Sequence, residues 1–431
     1  MSNREDCQLP VELLLIVLQQ LEKESLVACT LVSRDFLELS RTFLFAKLVC
    51  RLQPKQTIEH PDETAHHPES LSDVLAYLRT SPGVGAHIRH LCLWQKSCMT
   101  RSSGENRSAP PADPQLKTMV EILEHLPNLH SLEMDGISFS ALEPHDTLSF
   151  DTPAVGSLRT LKLIGYKLLG NPEYTESLFH FLSLFGEVDS MYLSCIGVEA
   201  FGRNTAALLS RIPIKIHSLT VRPRPDILTC LAQLPHISAL RSLDLPEVPC
   251  QVLAPLFAAA GPALTHLACA LLESPSLQQY KARLAPHERA LLAFDALPAL
   301  RSLAVTLSTI VLPAGCAAVD MLLYGGAYAT LTDILRALPP ELHTLELRIA
   351  CLPLTGVFAA RRDGQPVVAL GGVPLQADWT LLDGILAGRV DTGLRTLRLA
   401  EVVRARFDKK EREQIVCLLP QVAKKGVVEF A

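Results

Sequence analysis

The chain has 431 residues, of which 48% are hydrophobic and 20% charged, with a formal net charge of −5. It is long enough for about two to three domains, apolar enough for a large core and too apolar for a disordered chain. A pI near 6.3 argues against a nucleic-acid binder, whose footprint is basic.

The first predicted element is a helix in "LPVELLLIVLQQL", residues 9 to 21. Pro10 suits its first turn, and Glu12 favours its positive N-terminal end. Val11, Leu14, Leu15 and Leu18 make one apolar stripe, while Leu13, Ile16 and Val17 fill the other side. A surface helix needs only one such stripe, so this one requires a second apolar environment. "EKES" then turns the chain, Ser25 is placed to cap a helix over 26–31, and Ser33 a third helix in "RDFLELSRTFLF". Three short helices are too few to make a core alone. The run "LVAC" at 26–29 imitates a lipoprotein cleavage site, but the charged "QQLEKES" before it and the acidic Glu5 and Asp6 argue against a signal peptide.

From residue 46 the chain repeats. An apolar-x-x-apolar-x-apolar hexad occurs ten times: "IRHLCL" from 88, "LHSLEM" from 129, "LRTLKL" from 158, "VDSMYL" from 188, "IHSLTV" from 216, "LRSLDL" from 240, "LTHLAC" from 264, "LRSLAV" from 300, "LHTLEL" from 342 and "LRTLRL" from 394. Most are preceded by a short amphipathic segment closed by Pro or Gly, such as "LKTMVEILEHLPN". The unit reads as helix, turn, strand. Repeated in one direction, it predicts parallel strands with helices on one side, stacked as a solenoid. Polar loops at 53–70 and 97–115 and an insertion at 352–379 interrupt it. A helix and strand at 404–430 are expected to cap its open end. The apolar run 248–272 has the length of a membrane span, but Pro255 and Gly261-Pro262 break it, and the repeat accounts for it better.

Alternate strand residues share a face. The hexad leucines face the helices, so the residues between them face the other, concave, side. The first outward column is Ser or Thr in eight of ten repeats, which predicts a hydrogen-bonded ladder rather than recognition. Selectivity is expected in the neighbouring columns, where Trp94, Lys162, Tyr192, Arg222, Asp244, Glu346 and Arg348 are candidate substrate-binding residues. Ten strands at ~4.8 Å make an arc of ~45 Å, suited to a protein or peptide and large for a metabolite.

No catalytic constellation, phosphate loop or metal-ligand spacing is found. His60, His66 and His67 lie in a polar loop without a second ligand cluster. The twelve cysteines are scattered without a C-x-x-C pair and read as reduced thiols of a cytoplasmic or nuclear protein. The expectation is a binding protein and not an enzyme, with no cofactor, metal, nucleic acid or membrane partner.

The hexads resemble the leucine-rich-repeat family over about 46–430. The asparagine or cysteine of that family is absent: Ile137, Tyr166, Ile196 and Val248 stand at its place. Residues 9 to 48 resemble the F-box family. The resemblance rests on Leu9, Pro10, Glu12, Leu13, Leu14 and Ile16, then Leu21, then Leu26, Cys29, Leu31, Val32, Ser33, Arg34, Phe36 and Leu39, and the closing Leu44-Phe45. Phe36 replaces the tryptophan found in many members. The resemblance implies an F-box over 1–45 that docks on a Skp-type adaptor of a cullin ubiquitin ligase. Leu9, Pro10, Glu12, Leu13, Leu14, Ile16, Leu21, Leu26, Val32 and Phe36 would make that contact, and the repeats over 46–430 would carry a protein substrate. The alternative is the same architecture acting as an interaction scaffold without a ligase role.

Overall fold

The computed structural model describes residues 10–52, 70–95, 116–137, 155–165, 172–194, 209–222, 226–249, 254–271, 297–311, 322–323, 331–332, 334–353, 379–401 and 409–430. Leu9, the histidines at 60, 66 and 67, and nearly all of the loops at 53–70, 97–115 and 352–379 lie outside the described residues. The chain divides into two compact units, Met1–Lys215 and Ile216–Ala431.

The first unit opens with three helices, α1 (Val11–Gln19), α2 (Lys23–Cys29) and α3 (Arg34–Leu44). Strand and helix then alternate: β1 (Lys47–Leu52), α4 (Leu71–Thr80), α5 (Pro82–Gly85), β2 (His90–Gln95), α6 (Leu116–Glu124), β3 (Ser131–Asp135), β4 (Val155–Ile164), α7 (Pro172–Leu182) and β5 (Phe185–Ser194). The five strands pair in chain order and all in parallel. Parallel pairing requires a crossover between neighbours, and the amphipathic segments supply it. α4 begins at a capping box in which Ser70 Oγ accepts from the Asp73 N–H and the Asp73 carboxylate accepts from the Ser70 N–H. α6 buries Leu116, Met119, Ile122 and Leu123, the i, i+3, i+6, i+7 stripe the sequence spells.

The second unit carries β6 (Lys215–Arg222), β7 (Ser242–Pro249), β8 (His266–Leu271), β9 (Ser302–Val311), β10 (Leu322–Leu323), β11 (Thr344–Pro353), β12 (Thr396–Glu401) and β13 (Val428–Phe430). Its path runs β6-β7-β8-β9-β11-β12-β13 in parallel, and β10 pairs with β9 antiparallel. That antiparallel pair was not expected from the repeat. Helices Asp226–Leu231, Ala254–Ala260 and Trp379–Thr392 lie between strands. The apolar run at 248–272 is strand, helix, 3-10 turn and strand. Among the described residues no helix is long and apolar enough to cross a membrane.

All ten hexads fall on strands, and their three apolar positions are buried throughout, from Ile88, Leu91 and Leu93 to Leu394, Leu397 and Leu399. The register is therefore as expected, since a one-residue slip would have exposed them all. Hexad entry shares one acceptor in a recurring way. The N–H groups of the second and third hexad residues both donate to one carbonyl of the preceding strand, as Arg159 and Thr160 do to His130, and Arg395 and Thr396 to His343. At these entries the second residue is exposed or half-exposed and the third is half-exposed in most repeats. Where the family's asparagine is missing, Gly136 and Gly165 follow β3 and β4 at φ 70 and φ 64. Their N–H groups donate to the Ile164 and Ser194 carbonyls, closing the strand ends with backbone alone.

The fold class is α/β: N-terminal helices, then parallel strands stacked with helices in the manner of a solenoid within each unit. Three local expectations are corrected. α2 starts at Lys23 behind Glu22, with no side-chain cap, and Ser25 lies inside it. β1 is an eleventh repeat strand, pairing Lys47 with His90. The Ser/Thr column is in register from Ser131 to Thr160 to Ser190 and from Ser302 to Thr344 to Thr396. Its hydroxyls are half-exposed, however, and no bond joins them among the described residues.

Candidate functional site

Two surfaces follow from this frame. The first is on the N-terminal helices. Pro10 presets the backbone before α1, with φ −51, and Glu12 sits in the first turn. Leu18 is buried, and Leu14 and Leu15 are half-buried on the same side. Leu13, Ile16 and Val17, spaced i, i+3, i+4, are 47%, 57% and 53% exposed. Val11 belongs to the inner stripe by angle, yet at the helix start it too is exposed. Val27 adds to this on α2, and Leu31 and Val32, in the turn before α3, are 85% and 67% exposed. The Ser33 hydroxyl accepts from the Phe36 N–H at 3.2 Å and fixes the start of α3, as expected. Seven of the twelve exposed large hydrophobic residues among those described lie between Val11 and Val32. Single exposed apolar side chains are ordinary, but such a concentration marks an interaction surface.

Of the residues assigned to adaptor contact, Pro10, Glu12, Leu13, Ile16 and Val32 are exposed, and Leu14, Leu21 and Phe36 are half-buried. Leu26 is buried in the chain by itself. Leu31, absent from that set, is the most exposed of all. Its position inside a family pattern had hidden its exposure.

The second surface is the face of the strands turned away from the helices. In the first unit the register places Glu133, Lys162 and Tyr192 in one row. Lys162 Nζ lies 3.0 Å from Glu133 Oε1 and 5.8 Å from the Tyr192 ring centre. Arg51 stands 6.0 Å from the ring of Trp94. Arg51 was missed in the sequence because β1 was not counted as a repeat strand. Cys92, which alternates with Leu91 and Leu93, is nevertheless buried, and burial pushes its thiol up.

In the second unit Arg348 Nε donates to Glu346 at 2.8 Å, and Arg398 meets Glu429 of β13 at 3.4 Å. The second pair is exposed, and such pairs contribute on the order of 0.2–1 kcal/mol and mainly hold side-chain posture. Asp244 shares its row with Ala268 and Ala304, which carry no polar reach. Its Oδ1 is buried without a hydrogen-bond partner. Burial raises its carboxyl above the usual range, against the pull of Arg348 and Arg222. A group whose folded pKa is raised binds protons more readily folded than unfolded, so its contribution to stability falls as pH rises through that window. Asp244→Asn is therefore expected to melt higher than the native chain at pH 7, with the difference shrinking toward pH 4. Thermal melts at the two pH values check this.

A family model described as F-box-like matches residues 6–51, which span α1 to α3 and most of β1. The chain thus carries an F-box-like domain, and with it a protein-interaction role. No curated protein matches the chain.

Proposed function

We propose that this chain is the substrate-recognition subunit of a cullin-type ubiquitin ligase. The F-box helices, over 1–45, bind a Skp-type adaptor. A leucine-rich-repeat arm, over 46–430, binds a protein substrate. The observation that carries the reading is the set of exposed apolar residues on α1 and around the α2–α3 turn, within the segment that matches the F-box-like model. The protein acts in the cytoplasm or nucleus without chemistry of its own. It works by proximity, raising the effective concentration of a substrate at the ligase's catalytic end. The same surfaces would also serve a scaffold that binds the adaptor without ubiquitin transfer, and ubiquitination of captured protein separates the two.

Substrate is read on the strand face, by Trp94, Lys162, Tyr192, Arg222, Asp244, Glu346 and Arg348. Aromatic and Arg side chains are the commoner interface anchors. Opposite charges along the face orient a partner and speed its capture more than they raise affinity. Tyr192→Ala, Arg222→Ala and Arg348→Ala together are expected to remove substrate proteins from the captured set while adaptor capture stays at the native level. An unchanged captured set would place recognition elsewhere on the chain.

A further inference from the structure

The second residue of each hexad forms a column of its own at the strand-entry edge. In the second unit it runs His217, Arg241, Thr265, Arg301, His343, Arg395 on β6, β7, β8, β9, β11 and β12. The backbone holds these residues side by side, because each N–H donates to the carbonyl of the one before: Thr265 to Arg241, Arg301 to Thr265, His343 to Arg301 and Arg395 to His343. All three arginines are exposed.

The strand face beside this column pairs its charges, as Glu346 does with Arg348 and Arg398 with Glu429. The column does not. Among the described residues no carboxylate forms an ion pair with Arg241, Arg301 or Arg395. Three aligned, unpaired guanidinium groups on a chain of net charge −5 repel one another and do nothing for the core. The same column recurs within the first unit as Arg89, His130 and Arg159, and closes there on Asp189. There His130 is held below the ordinary imidazole range by burial first, then by Arg159, Arg89 and His90.

We propose that Arg241, Arg301 and Arg395, with His343 among them, form a docking edge for an extended acidic segment of a partner protein. Arginines on alternate strands stand ~10 Å apart, the advance of about three residues of extended chain. Guanidinium forks bind carboxylates in bidentate fashion. The column offers no Phe, Tyr or Trp on which bases would stack, which favours an acidic peptide over single-stranded nucleic acid. The edge stands whether or not the N-terminal helices bind an adaptor.

The test is fluorescence anisotropy on the full-length protein with labelled deca-glutamate, a Gly/Ser peptide and single-stranded DNA of matched charge. Deca-glutamate is expected to bind saturably, and more weakly as salt rises, while the Gly/Ser peptide does not bind. Arg241→Gln with Arg301→Gln and Arg395→Gln should weaken binding about tenfold or more, a loss on the order of that for a few charge-assisted contacts. The corresponding triple Lys variant, which keeps charge and loses the fork, should fall between. Lys117→Gln with Lys424→Gln, a change of exposed charge elsewhere, should leave it unchanged. Circular dichroism and adaptor capture are measured on the same variants and should match the native protein. No saturable deca-glutamate binding, undiminished binding by the Gln triple, or tighter binding of DNA would each overturn the proposal.

Discussion

Leu13→Asp with Ile16→Asp is expected to abolish co-purification with a Skp-type adaptor while the melting temperature stays near that of the native chain. Both side chains are about half exposed on one face of α1, so the folded chain loses little when they become polar. Exposed substitutions usually shift stability by less than about 0.5 kcal/mol. The bound state loses far more. Truncating a buried interface anchor costs on the order of 2 kcal/mol or more, about thirtyfold in affinity, and a carboxylate left against an apolar partner costs more than truncation. Leu18→Asp is the contrasting case. That residue is 1% exposed, so its substitution should lower the melting temperature as well as binding. Equal loss of stability in both variants would mean that the outer face of α1 is packed and not free.

Asp383→Ala should release the C-terminal cap. Asp383 lies on the helix Trp379–Thr392 and is 1% exposed. Its carboxylate accepts from the Gln421 and Val422 N–H groups at 2.9 and 3.0 Å. Those donors open the helix Pro420–Lys424, which precedes β13. Lys425 adds a bond to the Ala387 carbonyl at 3.0 Å and an ion pair to Asp391, and β13 completes the edge of β12. Removing the carboxylate leaves the buried Val422 donor unpaired, at about 1–3 kcal/mol, and the part-buried Gln421 donor at less. The cap should then open locally, and amide exchange over 409–430 should accelerate by about tenfold or more with little change in β6 to β9. Asp383→Asn keeps one acceptor oxygen and should fall between. Undisturbed exchange in the Ala variant would mean that strand pairing alone holds the cap.

How legible these features were depends on how local their causes are. The hexad carries strand period, inward face and register in six residues, so ten strands and the buried set from Ile88 to Leu399 could be read from the sequence. β1 escaped because its version of the pattern, Phe45, Leu48, Cys50, opens on a residue already given to α3. With β1 went Arg51 and its contact to Trp94. The two-sided character of α1 was visible in the apolar run, but which side stays open depends on where α3 packs. Asp383 looked like an ordinary acid in a helix; its partners lie 38 and 39 residues away, beyond any local pattern. The pairing of Glu133 with Lys162 likewise needed the register between strands 29 residues apart.

Isothermal titration of a purified Skp-type adaptor into the full-length protein, at several temperatures, tests the central claim most directly. A saturable one-to-one heat with a negative heat-capacity change, the mark of apolar burial, is the result predicted, and it should vanish with Leu13→Asp and Ile16→Asp. Absence of saturable binding by the native chain, or binding that survives that double substitution, would contradict it.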